Sequence, residues 1–181
     1  MITIGFLELN SIAKGILAAD MMLKAADIRL VFARPSCPGK YQILITGEVS
    51  AVESALESGE EAAKTNIIDR LLIPRIHPHV IEAVSLSAMP TSLRALGILE
   101  FFSVAGAIIA ADAAVKAANV SLIEVRLGTG IGGKSFITLT GDVGAVEEST
   151  DAGAKAVEAA GTLIEKVVIA HPDQDLYRTL L

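Results

Sequence analysis

The sequence predicts an α+β protein made of two tandem domains, each with its strands and helices in the order β-α-β-β-α-β. Three observations lead to this fold class: the chain repeats itself at a nearly fixed spacing, each copy alternates short apolar runs with helical periodicity, and turn-forming residues separate these segments. With 181 residues, of which 52% are hydrophobic, the chain has enough apolar material for a buried core.

The internal repeat defines the domain organisation. A shift of 92 residues aligns Gly5-Phe6-Leu7-Glu8 with Gly97-Ile98-Leu99-Glu100, Ala18-Ala19-Asp20 with Ala110-Ala111-Asp112, and Lys24-Ala25-Ala26 with Lys116-Ala117-Ala118. Beyond a loop near residue 37 the shift becomes 94, which aligns residues 46–53 with 140–147 and His77-Pro78 with His171-Pro172. We therefore predict a first domain over residues 1–88 and a second over 89–181, with a linker at residues 86–93.

The apolar pattern predicts the same elements in both copies. In the first copy, strands are predicted at residues 2–9, 28–33, 41–46 and 67–76, and helices at residues 12–26 and 51–64. Ser11 and Ser50 are the expected N-caps. One face of the first helix is expected to be apolar and to consist of Ile12, Ile16, Ala19, Leu23 and Ala26. The second and third strands are expected to form a hairpin with a long connection.

The first helix of the second copy, at residues 104–118, is so rich in alanine and glycine that it is hard to explain as a helix facing solvent. Such small residues permit close approach of another backbone. Two copies of one domain in a single chain further suggest fused subunits of a symmetric ring.

Charge and hydropathy exclude several functional classes. The net charge is −6, with 15 basic against 21 acidic residues, so the chain lacks the basic surplus expected of a nucleic-acid-binding protein. The most apolar stretch, residues 104–118, is interrupted by Asp112 and Lys116, so no lipid-spanning segment is expected. The N-terminus lacks the features of a secretory signal, and the chain has one cysteine, which fits a reducing cytosolic compartment.

Residues 128–135, Gly-Thr-Gly-Ile-Gly-Gly-Lys-Ser, match the Walker A pattern of phosphate-binding loops. In such loops a helix begins at the Lys-Ser end and presents free backbone N–H groups to the phosphate. Here the apolar segment 136–140 reads instead as a strand, as does its repeat counterpart at residues 42–46. The motif is therefore predicted to be a glycine-rich connecting loop, and no nucleotide is expected to bind to it.

Cys37 lies in a proline-rich loop, Arg34-Pro35-Ser36-Cys37-Pro38-Gly39-Lys40. Two interpretations remain open from the residues alone. Cys37 is either a small turn residue with an idle thiol or, if chains assemble around a threefold axis, one of three converging soft ligands. Three thiolates suit an iron–sulfur cluster in which one iron takes a non-cysteine ligand.

The other candidate groups favour structural roles. His77 and His171 each stand before proline at a strand end, where a capping or surface role is expected. Glu8 and Glu100 follow equivalent strands and are expected to be buried, hydrogen-bonded carboxylates. No catalytic motif is recognised, so the chain is not expected to be an enzyme.

The repeated motifs resemble the bacterial microcompartment (BMC) shell domain over nearly the whole chain, twice. The matching residues are Gly5-x-Leu7-Glu8, Ala18-Ala19-Asp20-x3-Lys24-Ala25-Ala26, Gly47-Glu48-Val49-x-Ala51-Val52 and Ile73-Pro74-Arg75-x-His77, with their second-copy counterparts. The unpermuted strand order and the cysteine loop are similar to the tandem-domain trimer class known from propanediol-utilisation compartments.

This resemblance implies a homotrimeric pseudohexamer, tiled with other BMC shell proteins into the shell of a microcompartment in the cytoplasm. Hairpin loops would line a central pore, and in this class Cys37 from three subunits would hold one 4Fe–4S cluster per trimer, for electron transfer across the shell or for cluster supply. The implied pore-loop residues are Pro35, Ser36, Cys37, Pro38, Gly39, Gly130, Ile131, Gly132 and Gly133. The implied contacts with neighbouring tiles come from Lys24, Arg75 and Lys116.

The second copy departs from the family pattern at two positions. Its loop carries Thr129 opposite Cys37, which leaves three thiols per trimer, and the alignment by the His-Pro motif places Ile169 opposite Arg75. A passive metabolite pore without a metal cluster remains the alternative function, and a nucleotide-binding enzyme a more distant one.

Overall fold

The computed structural model of the protein describes residues 2–85 and 93–180, with only the backbone at Tyr177 and Arg178. These residues form two compact units, Met1–Ile76 and His77–Leu181. Most of the predicted linker at residues 86–93 lies outside the described residues, and the predicted boundary after residue 88 stays a prediction. Residues 77–85, however, group with the second unit.

The first unit is a four-stranded antiparallel sheet with two helices, as the sequence predicts. Its elements are β1 (Thr3–Leu9), α1 (Ile12–Ala25), β2 (Arg29–Ser36), β3 (Lys40–Gly47), α2 (Val49–Ala63) and β4 (Ile67–Ile73). The strand order is β2-β3-β1-β4, so β1 lies between its two antiparallel partners, β3 and β4. A short 3-10 turn at Lys64–Asn66 joins α2 to β4.

The second unit repeats this architecture and adds a short helix at each end. Its elements are α3 (Pro78–Val84), β5 (Ala95–Phe101), α4 (Val104–Ala117), β6 (Val120–Leu127), β7 (Ser135–Gly141), α5 (Val143–Ala156), β8 (Leu163–Ile169) and α6 (Gln174–Leu180). The strand order is β6-β7-β5-β8. The sequence did not predict α3 and α6, because neither helix is longer than seven residues.

Strand register corrects one detail of the repeat. Ile4 pairs with Ile73, and the equivalent Leu96 pairs with Ile169. Ile169 is therefore the counterpart of Ile73, and the shift in the last strand is 96 rather than 94. Two extra residues follow the second 3-10 turn, at the left-handed Gly161. His171, and not Ile169, thus takes the place of Arg75.

Small residues determine which side of α1 packs inward. The buried residues of α1 are Gly15, Ala18, Ala19 and Met22, and the helix packs against α2. A large apolar cluster above the sheet surrounds them: Leu7, Leu9, Tyr41, Ile43, Ile45, Val52 and Leu56. The predicted apolar face was wrong in this respect, since Ile12, Ile16 and Leu23 are exposed within the chain. In α4, by contrast, ten of fourteen residues are buried, as its composition indicated.

The predicted caps fared differently. Ser11 is the N-cap of α1, and its hydroxyl accepts a hydrogen bond from the N–H of Lys14. The prediction for Ser50 was wrong, because α2 begins two residues earlier than expected, at Val49, with Glu48 at the N-cap and no side-chain cap bond. In the described part of the chain, no helix has the length and apolarity needed to cross a bilayer.

Candidate functional site

The predicted site lies at the tip of the β2–β3 hairpin. Ser36 pairs with Lys40 across the two strands, so only Cys37, Pro38 and Gly39 form the connection. The N–H of Gly39 donates to the carbonyl of Ser36 at 2.9 Å, and Gly39 has a φ of +82°, a conformation that favours glycine. The expected long connection was wrong, because β2 continues through Pro35 and Ser36. The result is a short, well-defined tip.

Cys37 is a free, half-buried thiol at this tip. Its neighbours Pro35, Pro38 and Gly39 are exposed, whereas Ser36 is buried and its hydroxyl has no hydrogen-bond partner among the described residues. Across the described ranges of a single chain, no group of three or more histidine, cysteine or acidic side chains is arranged to hold a metal ion. One chain therefore contributes one soft donor.

An ion pair between a half-buried lysine and a buried carboxylate lies at the base of the hairpin. The Glu8 carboxylate on β1 accepts hydrogen bonds from Lys40 Nζ at 3.2 Å and from Gln42 Nε2 at 3.3 Å. Only 4% of the Glu8 side chain is exposed. The expected buried, hydrogen-bonded role of Glu8 is confirmed. The pair ties the first residue after the tip to the central strand of the sheet.

An arginine of the second strand of each unit lies over an aromatic ring. The Arg34 guanidinium lies 4.3 Å from the centre of the Phe32 ring, and Arg126 lies 5.4 Å from that of Phe136. Burial lowers the pKa of Arg34 from its ordinary value. Arg126 is also within 2.6 Å of Glu124.

The glycine-rich tip of the second unit connects two strands, as predicted. Gly128, Gly130, Gly132 and Gly133 all have positive φ, and β7 rather than a helix follows. Lys134, the lysine of the Walker-like pattern, pairs with Glu100 at 3.0 Å. This is the repeat counterpart of the Lys40–Glu8 pair, although 37% of the Glu100 side chain is exposed. The lysine is thus explained by the hairpin, without a phosphate.

The sequence could have revealed these two lysines. Lys40 and Lys134 fall at the same shift of 94 residues that aligns the segments after the loop, and Glu8 and Glu100 at the shift of 92 that aligns those before it. Each copy therefore has one glutamate and one lysine at equivalent positions, and these are the residues that form the two ion pairs. The sequence analysis predicted that both carboxylates are hydrogen-bonded, but it did not name these lysines as their partners.

The residues expected at the tile edge lie on α1, on α4 and after β4. Lys24 pairs with Asp20, and Lys116 with Asp112, each at 2.5 Å and one helical turn apart. Arg75 is exposed in the turn after β4 and has a φ of +57°, which is uncommon for a residue with a side chain. Their contacts with neighbouring tiles stay a prediction.

His77 has the capping role expected of it, but the His-Pro repeat does not extend to His171. His77 is the N-cap of α3, and its Nδ1 accepts from the N–H of His79 at 3.3 Å. Its own N–H donates to Asp112 Oδ1 at 2.8 Å. At the start of α6 it is Asp173 whose carboxylate accepts from the N–H two residues on, at 2.9 Å. Asp173 therefore matches His77, in agreement with the shift of 96.

Comparison with known proteins agrees with this architecture. The BMC domain family model matches residues 3–76 and 95–172. The bacterial microcompartment shell protein PduT of Citrobacter freundii is 39% identical over 178 residues, which is 98% of this chain and 97% of that protein. The carboxysome assembly protein CcmO of Synechococcus elongatus is 32% identical over 90% of this chain and 62% of its own length.

The solved structures extend the agreement to three dimensions. The crystal structure of a microcompartment protein from Desulfitobacterium hafniense superposes with a TM-score of 0.94 at 50% identity, covering 98% of this chain and 99% of that one. A fused, permuted hexameric shell protein shares the fold alone, with a TM-score of 0.63 and 22% identity.

The chain belongs to the BMC domain family, as a tandem protein with two unpermuted copies of the domain. It is a structural shell protein of a bacterial microcompartment, and its place is the microcompartment shell in the cytoplasm. The particular resemblance is to PduT, which confirms the likeness to the propanediol-utilisation type that the motifs indicated.

Proposed function

We propose that three copies of the chain form a pseudohexameric ring within the shell, and that one Cys37 thiolate from each copy binds a single 4Fe–4S cluster on the ring axis. The observation that carries this proposal is the position of Cys37: a half-buried free thiol at the tip of a short hairpin. Three such tips around a threefold axis supply three soft ligands, which is the donor set that an iron–sulfur cluster prefers.

The residues of the tip fit such a cluster. Each chain offers a thiolate, and the fourth iron of the cluster would take a ligand other than cysteine, since the chain has one cysteine. Gly39 keeps the tip tight, and the Glu8–Lys40 pair holds it against β1. When bound, a cluster of this kind supplies one-electron transfer, so the proposed role is electron transfer across the shell or delivery of the cluster.

Tile contacts complete the proposed function. Lys24, Lys116 and Arg75 carry positive charge on exposed positions, and we assign them to contacts with other BMC shell proteins. Each lysine is held by an aspartate of its own helix. The expectations that the chain binds neither nucleic acid nor lipid and has no catalytic activity of its own also remain proposals.

A passive metabolite pore is the second candidate. Gly39, Gly130 and Gly132 have no neighbouring atoms within 4 Å of where a Cβ would stand, so exposed backbone is available at both kinds of tip. An open pore lined by Pro35, Cys37 and these glycines would conduct small polar molecules without a metal. This function predicts that Cys37→Ser leaves transport unchanged.

The test is anaerobic reconstitution with iron and sulfide, followed by iron analysis and visible absorbance of the purified assembly. The wild-type protein should retain four irons per three chains with thiolate-to-iron absorbance. Cys37→Ser should lose both while keeping its oligomeric state. Thr129→Ser is the matched control, because it changes a hydroxyl-bearing residue at the other tip and should retain the cluster. An assembly that remains free of iron, or a Cys37→Ser variant that keeps it, would overturn the cluster and favour the passive pore.

A further inference from the structure

We infer that Arg34 provides the positive charge that sets the reduction potential of the proposed cluster, because its guanidinium stabilises the reduced, more negative state. The inference rests on the proposed function and names the residue that adjusts it. Arg34 lies on β2 three residues before Cys37, which at about 3.3 Å per residue places the two backbones roughly 10 Å apart. Arg34 is half-buried, and a partly buried charge at such a distance is incompletely screened by salt.

The first observation is that Arg34 has no counter-charge in its own chain. Within residues 2–85 and 93–180, no carboxylate forms an ion pair with Arg34, and its Nε is buried without a hydrogen-bond partner. Burial lowers the pKa of Arg34, which is the direction expected of a cation that loses water and gains no anion. A charge in this situation is stabilised by any anion placed near it.

The carboxylate of Glu8 lies on the same row of the sheet but does not serve as this anion. Strand register pairs Arg34 with Gln42 and Gln42 with Glu8, so the arginine and the glutamate are two strands, or about 10 Å, apart. Glu8 accepts hydrogen bonds from Lys40 and Gln42 instead. The charges of Lys40 and Glu8 therefore offset each other, and that of Arg34 remains beside the tip.

The second unit has the same arginine together with a counter-charge. Strand register makes Arg126 the counterpart of Arg34, and Glu124 the counterpart of Phe32. Nε of Arg126 lies 2.6 Å from Oε1 of Glu124, whereas the Arg34 guanidinium lies 4.3 Å from the centre of the Phe32 ring. An aromatic ring attracts a guanidinium without neutralising it. The first unit thus keeps the arginine and lacks the carboxylate.

The unit with the uncompensated arginine is also the unit with the cysteine. The tip with Thr129 follows a neutral arginine–glutamate pair, and the tip with Cys37 follows a cation. A 4Fe–4S cluster on three thiolates is an anion in both redox states, and the electron that it accepts from a one-electron carrier adds a further negative charge. Three Arg34 side chains around the ring axis would favour that addition, so the potential is raised.

The test is a redox titration of the reconstituted assembly with dithionite, in which electron paramagnetic resonance follows the cluster at fixed pH and ionic strength. Arg34→Gln should shift the midpoint potential to a more negative value than that of the wild type. Phe32→Glu should shift it in the same direction, because it supplies the carboxylate that Arg126 already has. Both shifts should decrease at high salt, as expected of an effect of charge.

Three further variants separate charge from packing. Arg34→Lys keeps the charge and should stay close to the wild-type potential. Phe32→Leu removes the ring without adding a charge, so it should shift the potential less than Phe32→Glu does. The matched control is the double variant Glu124→Gln/Arg126→Gln. It removes the neutral pair of the second unit without a change in net charge and should leave the potential unchanged.

The outcomes distinguish this inference from the proposed function. A wild-type assembly that binds no cluster would remove both. A cluster that is present with the same potential in the wild type and Arg34→Gln would keep the proposed function and overturn the role of Arg34. An equal shift in Arg34→Lys and Arg34→Gln would also overturn it. Loss of the cluster from Arg34→Gln but not from Arg34→Lys would support the requirement for charge, and loss from both would contradict it.

Discussion

Among single residues, the two lysines that follow the hairpin tips differ in their surroundings more than in their geometry. Lys40 reaches Glu8 at 3.2 Å and Lys134 reaches Glu100 at 3.0 Å. The first carboxylate is 4% exposed and the second 37%. A buried carboxylate that loses its partner stays out of contact with water, so its desolvation penalty is no longer offset. An exposed carboxylate is solvated by water instead.

We therefore expect Lys40→Met to destabilise the protein by about 1–3 kcal/mol. Lys134→Met, the matched control, should cost less than about 1 kcal/mol. Urea denaturation followed by circular dichroism measures both changes. Equal losses in the two variants would contradict the role assigned to burial at Glu8.

For single residues, the sequence predicted their place in the secondary structure better than it predicted the side chains that they contact. Composition identified Cys37 as the one thiol, the strands on either side placed it in a turn, and the pattern after Lys134 correctly indicated a strand. The partners of Glu8 were missed, because Lys40 is 32 residues away and approaches only through strand pairing. The equivalence of His171 with Arg75 was missed because a two-residue insertion near Gly161 conceals it.

At the scale of elements, the packing of α1 on the sheet depends on a glycine. A Cβ on Gly15 would stand 2.4 Å from the Tyr41 side chain, which is far inside contact distance. In the second unit the equivalent residues are Ala107 and Ser135. The first unit therefore combines a glycine with a large aromatic side chain, whereas the second combines an alanine with a small side chain, and both units have the same fold.

This exchange predicts a strong coupling between the two positions. Gly15→Ala should destabilise the wild-type protein by about 1–3 kcal/mol through overpacking. In a Tyr41→Ser background the same change should be neutral or stabilising, since alanine has the higher helix propensity. A double-mutant cycle by thermal unfolding measures the coupling. If Gly15→Ala destabilises both backgrounds equally, the Tyr41 side chain is not what excludes a Cβ at this position.

A second prediction at this scale concerns the start of α3. Partial burial, the neighbouring His79 and Lys116 lower the pKa of His77, while Asp112 and Glu82 act in the opposite direction. The Nδ1 of His77 also accepts the N–H of His79, which requires an unprotonated nitrogen. The unfolded state therefore binds the proton more readily than the folded state does.

Stability should consequently be complete above the unfolded pKa of about 6.5 and fall as the pH drops from there towards the lowered folded pKa. His77→Asn keeps an N-cap acceptor and cannot titrate, so its loss of stability over this range should be smaller. Thermal unfolding between pH 7 and about 5 measures the difference. An identical pH dependence in both proteins would exclude His77 as its source.

At the scale of the whole molecule, the repeat carried most of the prediction. It gave the order of the elements in both units, because buried strands and amphipathic helices leave strong periodic signals. It could not show which apolar face of α1 is buried within the chain. Ile12, Ile16 and Leu23 have the spacing of a core face yet are exposed within the chain, because the buried side of α1 is lined by Gly15, Ala18, Ala19 and Met22 instead.

The difference between the units also gives the tandem arrangement a physical meaning. Identical subunits in a sixfold ring would present six identical tips to the axis. Fusion of two copies allows the tips to alternate, with Cys37 in a three-residue connection and glycine-rich loops in between. A threefold site can thus be built in a ring that keeps nearly sixfold packing.

Native mass spectrometry of the anaerobically reconstituted wild-type protein tests this account most directly, because one measurement reports both assembly and cluster. We predict a single species of three 18.8 kDa chains that carries the additional mass of one 4Fe–4S cluster. A species with the mass of one chain would contradict the central claim, because Cys37 would then have no partner thiols with which to bind a cluster.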